Sequence, residues 1–161
     1  MLSSFRVWLL ALILVVPIVG FAQPTNPDSL RNVADSLHLL SDSLIDSRQY
    51  SQAIEVLRRE GSLRQRISDP LGKSKAINGI GRAFNGLGEF DSALVYADQV
   101  LAMAYTSQAK AEIAQAHHTK GYAFDRMVRY NEAISEYQSA VDIRLAIADS
   151  IGAAKSLNNL G

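Results

Sequence analysis

Residues 80–96 read IGRAFNGLGEFDSALVY, and the spacing within that stretch decides the fold. Gly81, Phe84, Phe90 and Ala93 recur forty positions on as Gly121, Phe124, Tyr130 and Ala133. At the same offset toward the N-terminus the equivalent places hold Ser41, Leu44, Tyr50 and Ala53, and Gly161 falls one further offset after Gly121. One unit is therefore repeated about three and a quarter times. A repeat of this length marks a solenoid, in which each unit buries its apolar face only against its neighbours. Architecture follows from such a pattern; the identity of a ligand does not.

Outward from that stretch the apolar periodicity is helical. Leu30, Val33, Leu37, Leu40 and Leu44 recur at helical spacing and form one stripe of a first helix over 29–47. Further helices are predicted over 50–67, 71–85, 89–105, 108–127 and 130–148, with a seventh starting at 151. Asp69 before Pro70 reads as a cap and a first turn, because proline lacks only an N–H that would be unpaired there. Gly86-Leu87-Gly88 reads as a helix stop, and Asp149-Ser150 as a second capping pair. Gly61 lies inside a helix and weakens it by about 1 kcal/mol relative to alanine. No stretch sustains strand alternation. The expected fold is all-α, a solenoid of antiparallel helix hairpins.

Within each hairpin, small and large residues alternate. Gly81 and Gly121 on the first helices, with Ala53, Ala93 and Ala133 on the second, let the backbones approach. Leu44, Phe84 and Phe124, with Tyr50, Phe90 and Tyr130 at the entry to each second helix, are expected to fill the space beside them.

Composition narrows the function classes. Of 161 residues, 48% are hydrophobic and 20% charged, an ordinary globular balance. Sixteen basic residues offset sixteen acidic ones; with 1–22 set aside, a segment that holds Arg6 and no acid, the count is 15 against 16, or −1. There is no basic excess to serve nucleic acid or anionic lipid. The absence of cysteine excludes disulfides, thiolate chemistry and Cys-ligated zinc.

Residues 1–22 read MLSSFRVWLLALILVVPIVGFA. Arg6 gives a positive start, residues 7–19 are an uncharged apolar run, and Gly20-Phe21-Ala22 offers small residues before Gln23. This is the layout of a secretory signal peptide cleaved after Ala22; the alternative is an uncleaved anchor, for which the run is short. Either way the remainder is exported, to the periplasm or the outer side of the inner membrane. Residues 23–29 read as a flexible leader and 30–161 as the array, with units at about 34–73, 74–113 and 114–153 and a partial unit at 154–161.

The order Ile77, Ile80, Gly81, Phe84, then Ala93, resembles the tetratricopeptide repeat, W-x2-L-G-x2-Y followed by alanine. The third unit offers His117, Lys120, Gly121, Phe124, Ala133 and Tyr137; the first departs with Ser41 in the glycine place. The resemblance covers residues 34–161. The offset from Gly81 to Gly121 exceeds the family's usual period of about 34 and the closing proline is missing, which looks like the kinesin-light-chain-like branch. Residues 143–161 look like that branch in exported or membrane-bound bacterial sensor proteins.

The resemblance implies a concave groove lined by the first helices, holding an extended peptide or a partner helix. Carried onto this chain, the groove positions are Asp35, His38 and Asp42 in unit one; Lys75, Asn78, Arg82 and Asn85 in unit two; Gln115, His118, Tyr122 and Asp125 in unit three; then Lys155 and Asn158. Asn78 and Asn158 share one register position with His118 between them, and a row of such side chains can hold a peptide backbone through amide donors and acceptors. The family's chaperone-binding carboxylate clamp is not reproduced, since Gln115 and Thr119 stand where basic residues are wanted.

His117 and His118 are adjacent and point about 100° apart on a helix, so they chelate poorly together, and no metal or other cofactor is expected. No Gly-rich phosphate loop and no GxSxG serine occurs. Asp42 and Asp46 lie on a solvated helix face. The expectation is therefore a non-enzymatic scaffold for a protein or peptide, with no nucleic acid and no membrane contact by the array itself. The alternative is the input region of a membrane-bound signalling protein of the histidine kinase or transcriptional regulator type. Helix seven lacks the second half of its unit, so its outer face is expected to stay uncovered and open to self-association.

Overall fold

The computed structural model describes residues 26–107 and 109–160, the side chains of 104–107 excepted; the segment read as a signal peptide, Gln108 and Gly161 lie outside the described residues. Among the described residues seven helices follow one another: α1 (Pro27–Asp46), α2 (Tyr50–Arg66), α3 (Pro70–Leu87), α4 (Phe90–Ser107), α5 (Lys110–Arg126), α6 (Tyr130–Ala146) and α7 (Ser150–Asn158). Among the described residues there is no strand, and no helix is long and apolar enough to cross a membrane. The solenoid of helix hairpins expected from the repeat spacing is the fold observed.

Local chemistry sets the helix ends. Asp69 Oδ1 accepts from the Gly72 N–H at 2.8 Å and Pro70 occupies the first turn of α3. Asp149 Oδ1 does the same for Gly152 at 2.9 Å in α7. Asn26 caps α1 through the Asp28 N–H with Pro27 in the first turn, so the helix takes in positions 27–29 that the sequence reading gives to a flexible leader.

The hairpin turns share one lock. The N–H groups of Gln49, Glu89 and Arg129 donate to the carbonyls of Leu44, Phe84 and Phe124 at 2.8, 3.0 and 2.9 Å. That closure needs a left-handed residue at the turn, and Arg48, Gly88 and Val128 provide it with φ of 58°, 81° and 63°. Glycine takes this conformation freely, whereas a β-branched side chain such as Val128 is strained in it.

There is no single core. Leu30, Ala34 and Leu63 join α1 to α2. Ala53, Ile54 and Leu57 of α2 pack on Ala76, Ile80 and Ala83 of α3, with Leu44, Tyr50, Phe84 and Tyr96 at the margin. Ile77, Ala97, Val100, Ile113 and Ala116 continue through α3, α4 and α5. Phe124, Ala133 and Tyr137 close α5 onto α6, flanked by Leu94 and Leu160. Besides these neighbour contacts, α1 touches α3 and α3 touches α5 across units, without comparable contacts among second helices. First helices crowd together while second helices splay apart, so the first helices form the concave wall.

The small-residue register holds: Ala53, Ala93 and Ala133 are buried. A Cβ on Gly121 would stand 2.7 Å from Tyr137 Cδ1, and one on Gly81 would meet Thr119 Cγ2 at 3.3 Å and the Ala93 carbonyl at 3.6 Å. Tyr130 differs from expectation. It is 57% exposed, whereas Tyr50, its equivalent in the first unit, is partly buried with its ring against Gly86 of the next first helix.

Two substitutions separate crowded glycines from free ones. Gly121→Ala is expected to lower the urea midpoint, its overpacking of about 1–3 kcal/mol exceeding the helix-propensity gain of about 1 kcal/mol. Gly61→Ala meets only Ala76 Cβ at 3.8 Å and is expected to raise the midpoint by the propensity gain alone.

Candidate functional site

The concave wall carries a cleft of about 420 Å³. Arg82, Asn85 and Gly86 of α3 face it, as do Gln115, His118, Thr119 and Tyr122 of α5. Ile45 and Tyr50 close one end; Arg144 of α6 and Lys155 of α7 close the other. No aspartate or glutamate lines it.

Six of the thirteen predicted groove residues are brought together here: Arg82, Asn85, Gln115, His118, Tyr122 and Lys155. Lys75 and Asp125 do not line the cleft. Asn158 instead borders a shallow apolar depression on α7 with Ser150, Ile151, Ala154 and Lys155. Asn78 is buried, and its amide donates to the Glu112 carbonyl at 3.1 Å and to Glu112 Oε2 at 2.9 Å. The amide row expected from register is therefore not a row in the groove. Position 78 faces the next first helix, because α3 and α5 pack directly, and its amide ties those two helices together.

Asn85 has a different role. It is 8% exposed, and its amide nitrogen donates to the Thr119 carbonyl at 2.9 Å. That bond fixes the side chain's orientation, since the opposite flip would set two oxygens against each other. Its Oδ1 is left without a partner, as is the hydroxyl of Thr119, which is 2% exposed. Buried polar atoms without partners are rare, because each forfeits its hydration. Among the described residues Asn78 Oδ1 and Arg64 Nε are without a partner too, and those two residues do not line the cleft.

At the far wall Lys155 is expected from register, but Arg144 has no counterpart in the sequence reading. Arg144 comes from a second helix and is 5% exposed. Its guanidinium donates to the Gly152 carbonyl at 2.8 Å, to Ser156 Oγ at 2.6 Å and to Gln115 Oε1 at 2.9 Å. Since an arginine only donates, Ser156 accepts from it and turns its own hydrogen to His118 Nδ1, 3.0 Å away. His118 is thereby the tautomer protonated on Nε2, and its ring lies edge-on to Tyr137 at 5.4 Å. Burial, followed by the charges of Arg144, Lys155 and Arg82, pushes the imidazole down from 6.5 to about 4. His118 is thus neutral and sits in a positive field.

The other predicted unit-one residues are engaged elsewhere. Asp35 accepts from Arg64 at 2.6 Å, and His38 Nδ1 lies 3.3 Å from the buried Glu60 carboxylate. Asp42 stands 3.8 Å from Arg82. His117, in an apolar place of the repeat, sits at the hairpin interface with Nδ1 2.6 Å from Glu136, which also takes Lys120 at 3.0 Å. Burial raises the Glu136 carboxyl, but His117 and Lys120 outweigh it and hold the group below its ordinary value.

A signal for Arg144 exists in the chain. Arg64, Asp69 and Gly72 recur two units on as Arg144, Asp149 and Gly152, while the intervening unit has Ala104, Ala109 and Glu112. The glycines are required because the Arg and Asp side chains occupy the space a Cβ would take. Where those two are alanine, Glu112 fits and receives Asn78.

These features define a class, the α-helical repeat scaffold with a concave binding wall. Residues 114–146 match the tetratricopeptide repeat family, and the described chain has the fold of tetratricopeptide-repeat domains. The chain is similar to the crystal structure of the tetratricopeptide-repeat domain of Arabidopsis FLU, with a TM-score of 0.66 and 19% identity over 73% of this chain and 98% of that one. It is also similar to a tetratricopeptide-like protein from Chlorobium tepidum TLS, with a TM-score of 0.65 and 17% identity over 83% and 96% of the two chains. No curated protein sequence matches it. Folds of this family generally mediate protein–protein interaction and are generally non-enzymatic.

The pH dependence of stability should report on His118. A base held below its ordinary value favours the native state above that value and loses the advantage as pH falls. The stability difference between the native chain and His118→Gln is expected to be constant above pH 6.5 and to shrink as pH falls toward about 4. Paired urea melts across that range measure it; a flat difference would count against the buried neutral imidazole.

Proposed function

We propose that the chain is a non-enzymatic scaffold that holds a protein or peptide segment in the concave cleft between α3, α5 and α7. The observation that carries this reading is the cleft of about 420 Å³ on the concave wall, which gathers Arg82, Asn85, Gln115, His118, Tyr122 and Lys155. Tyr50 and Tyr122 add rigid, partly apolar contact area at low entropic cost.

Selection of peptides on the mature chain from a displayed library tests this. Clones are expected to lose binding to Arg82→Ala and Tyr122→Ala and to keep it for Lys75→Ala, which lies off the cleft. Clones insensitive to both cleft substitutions would remove the cleft from the reading.

The apolar segment at 1–22 supports export, to the periplasm or the outer face of the inner membrane. N-terminal sequencing of the chain from an envelope fraction is expected to begin at Gln23; an intact Met1 would favour a retained anchor. The input region of a membrane-bound signalling protein is the second reading, favoured by residues 143–161, which look like exported or membrane-bound sensors.

A further inference from the structure

Arg64 and Arg144 occupy the same place two units apart, and the chain treats them oppositely. Around Arg64 stand three carboxylates: Asp35 at 2.6 Å, Asp69 at 3.1 Å and Glu60 at 3.4 Å. Around Arg144 the equivalent of Asp35 is Gln115 and the equivalent of Glu60 is Ala140. Only Asp149, the equivalent of Asp69, remains, at 3.7 Å. Both guanidiniums are inaccessible, so the difference is one of charge compensation and not of exposure. Their proton affinities follow: burial lowers both, but Asp35, Glu60 and Asp69 reverse the shift for Arg64, while Arg144 stays lowered.

Arg144 lines the cleft from one side. Lys155 and Arg82 line it as well, and both are exposed. Lys155 has no carboxylate within ion-pair distance among the described residues, and Arg82 has only Asp42 at 3.8 Å. Three cations thus border a space that no carboxylate enters, in a chain whose acidic and basic residues are equal in number. A buried cation with little compensation is costly unless a counter-charge arrives. Anionic groups are what this space lacks.

We propose that the cleft selects an acidic peptide segment, with its carboxylates on Arg82 and Lys155. This rests on the groove reading above and adds the charge of the ligand to it. Arg144 acts from the wall, through its field and its hold on Gln115 and Ser156. An extended peptide is favoured over a small anion because the cations come from α3, α6 and α7 around a cleft of about 420 Å³, more space than a single carboxylate or phosphate fills.

His118 lies in the field of all three cations and serves as the reporter. The probe is an acetylated, amidated Gly-Glu repeat peptide, compared with its Gly-Gln and Gly-Lys counterparts and with inorganic phosphate. The full chain is titrated while the His118 ring resonance is followed. The Glu peptide is expected to bind about tenfold more tightly than the Gln peptide, and to raise the His118 pKa from about 4. Arg82→Gln with Lys155→Gln is expected to abolish that preference, and Lys75→Gln to leave it. Equal binding of the Gln peptide with a His118 shift would overturn the charge selection and leave the groove reading standing. A shift produced equally by phosphate would overturn the peptide. No response to any peptide would overturn both readings.

Discussion

At two junctions between the second helix of one unit and the first helix of the next, a backbone bond across the turn is joined by an arginine side chain. Arg64 at the end of α2 holds Asp69, which caps α3. Arg144 at the end of α6 holds the Gly152 carbonyl and Ser156 of α7. In both places a glycine one turn into the new helix makes room for the guanidinium. The direction in which a first helix leaves its predecessor is set there, and so is the wall the first helices build together. Between α4 and α5 the chain does without the arginine, and Asn78 reaches across to Glu112 instead. Units of one length are therefore joined by two alternating kinds of linkage.

The fold was legible because it depends on residues whose requirement is size. Gly121 must be small beside Tyr137, and Ala53, Ala93 and Ala133 must be small because they are covered; such needs repeat with the backbone. The cleft was legible only in part. Register alone cannot say whether a polar residue on a first helix meets water or the next first helix. Asn78 and His118 share a register position, yet one bonds Glu112 across a helix interface and the other borders the cleft. Tyr130 departs from expectation although it shares a register position with Tyr50, whose ring lies against Gly86 of the next first helix. Arg144 escapes a search confined to first helices, although its companion Arg64 stands two units earlier with the same Asp and Gly after it.

Polar residues in this chain fall into two groups by what surrounds them. Glu60, Arg64, Asp35 and His38 are linked to one another and hold α1 to α2; Lys120, Glu136 and His117 do the same for α5 and α6, with Asp98 joining from α4. Such sets are interior ties with little left to offer a ligand. Around the cleft the pattern is the reverse: acceptors and charges are present in excess of their partners.

The cleft borrows from nearly the whole array, from Ile45 at the end of α1 to Lys155 in α7. In a solenoid, stiffness is local to each junction and curvature is the sum of small rotations along the chain. A space bounded by residues so far apart along the superhelix widens or narrows as that curvature changes. Its width is then a mechanical coordinate of the entire coil: whatever lodges between Tyr50 and Lys155 fixes the bend, and whatever bends the coil sets what can lodge there.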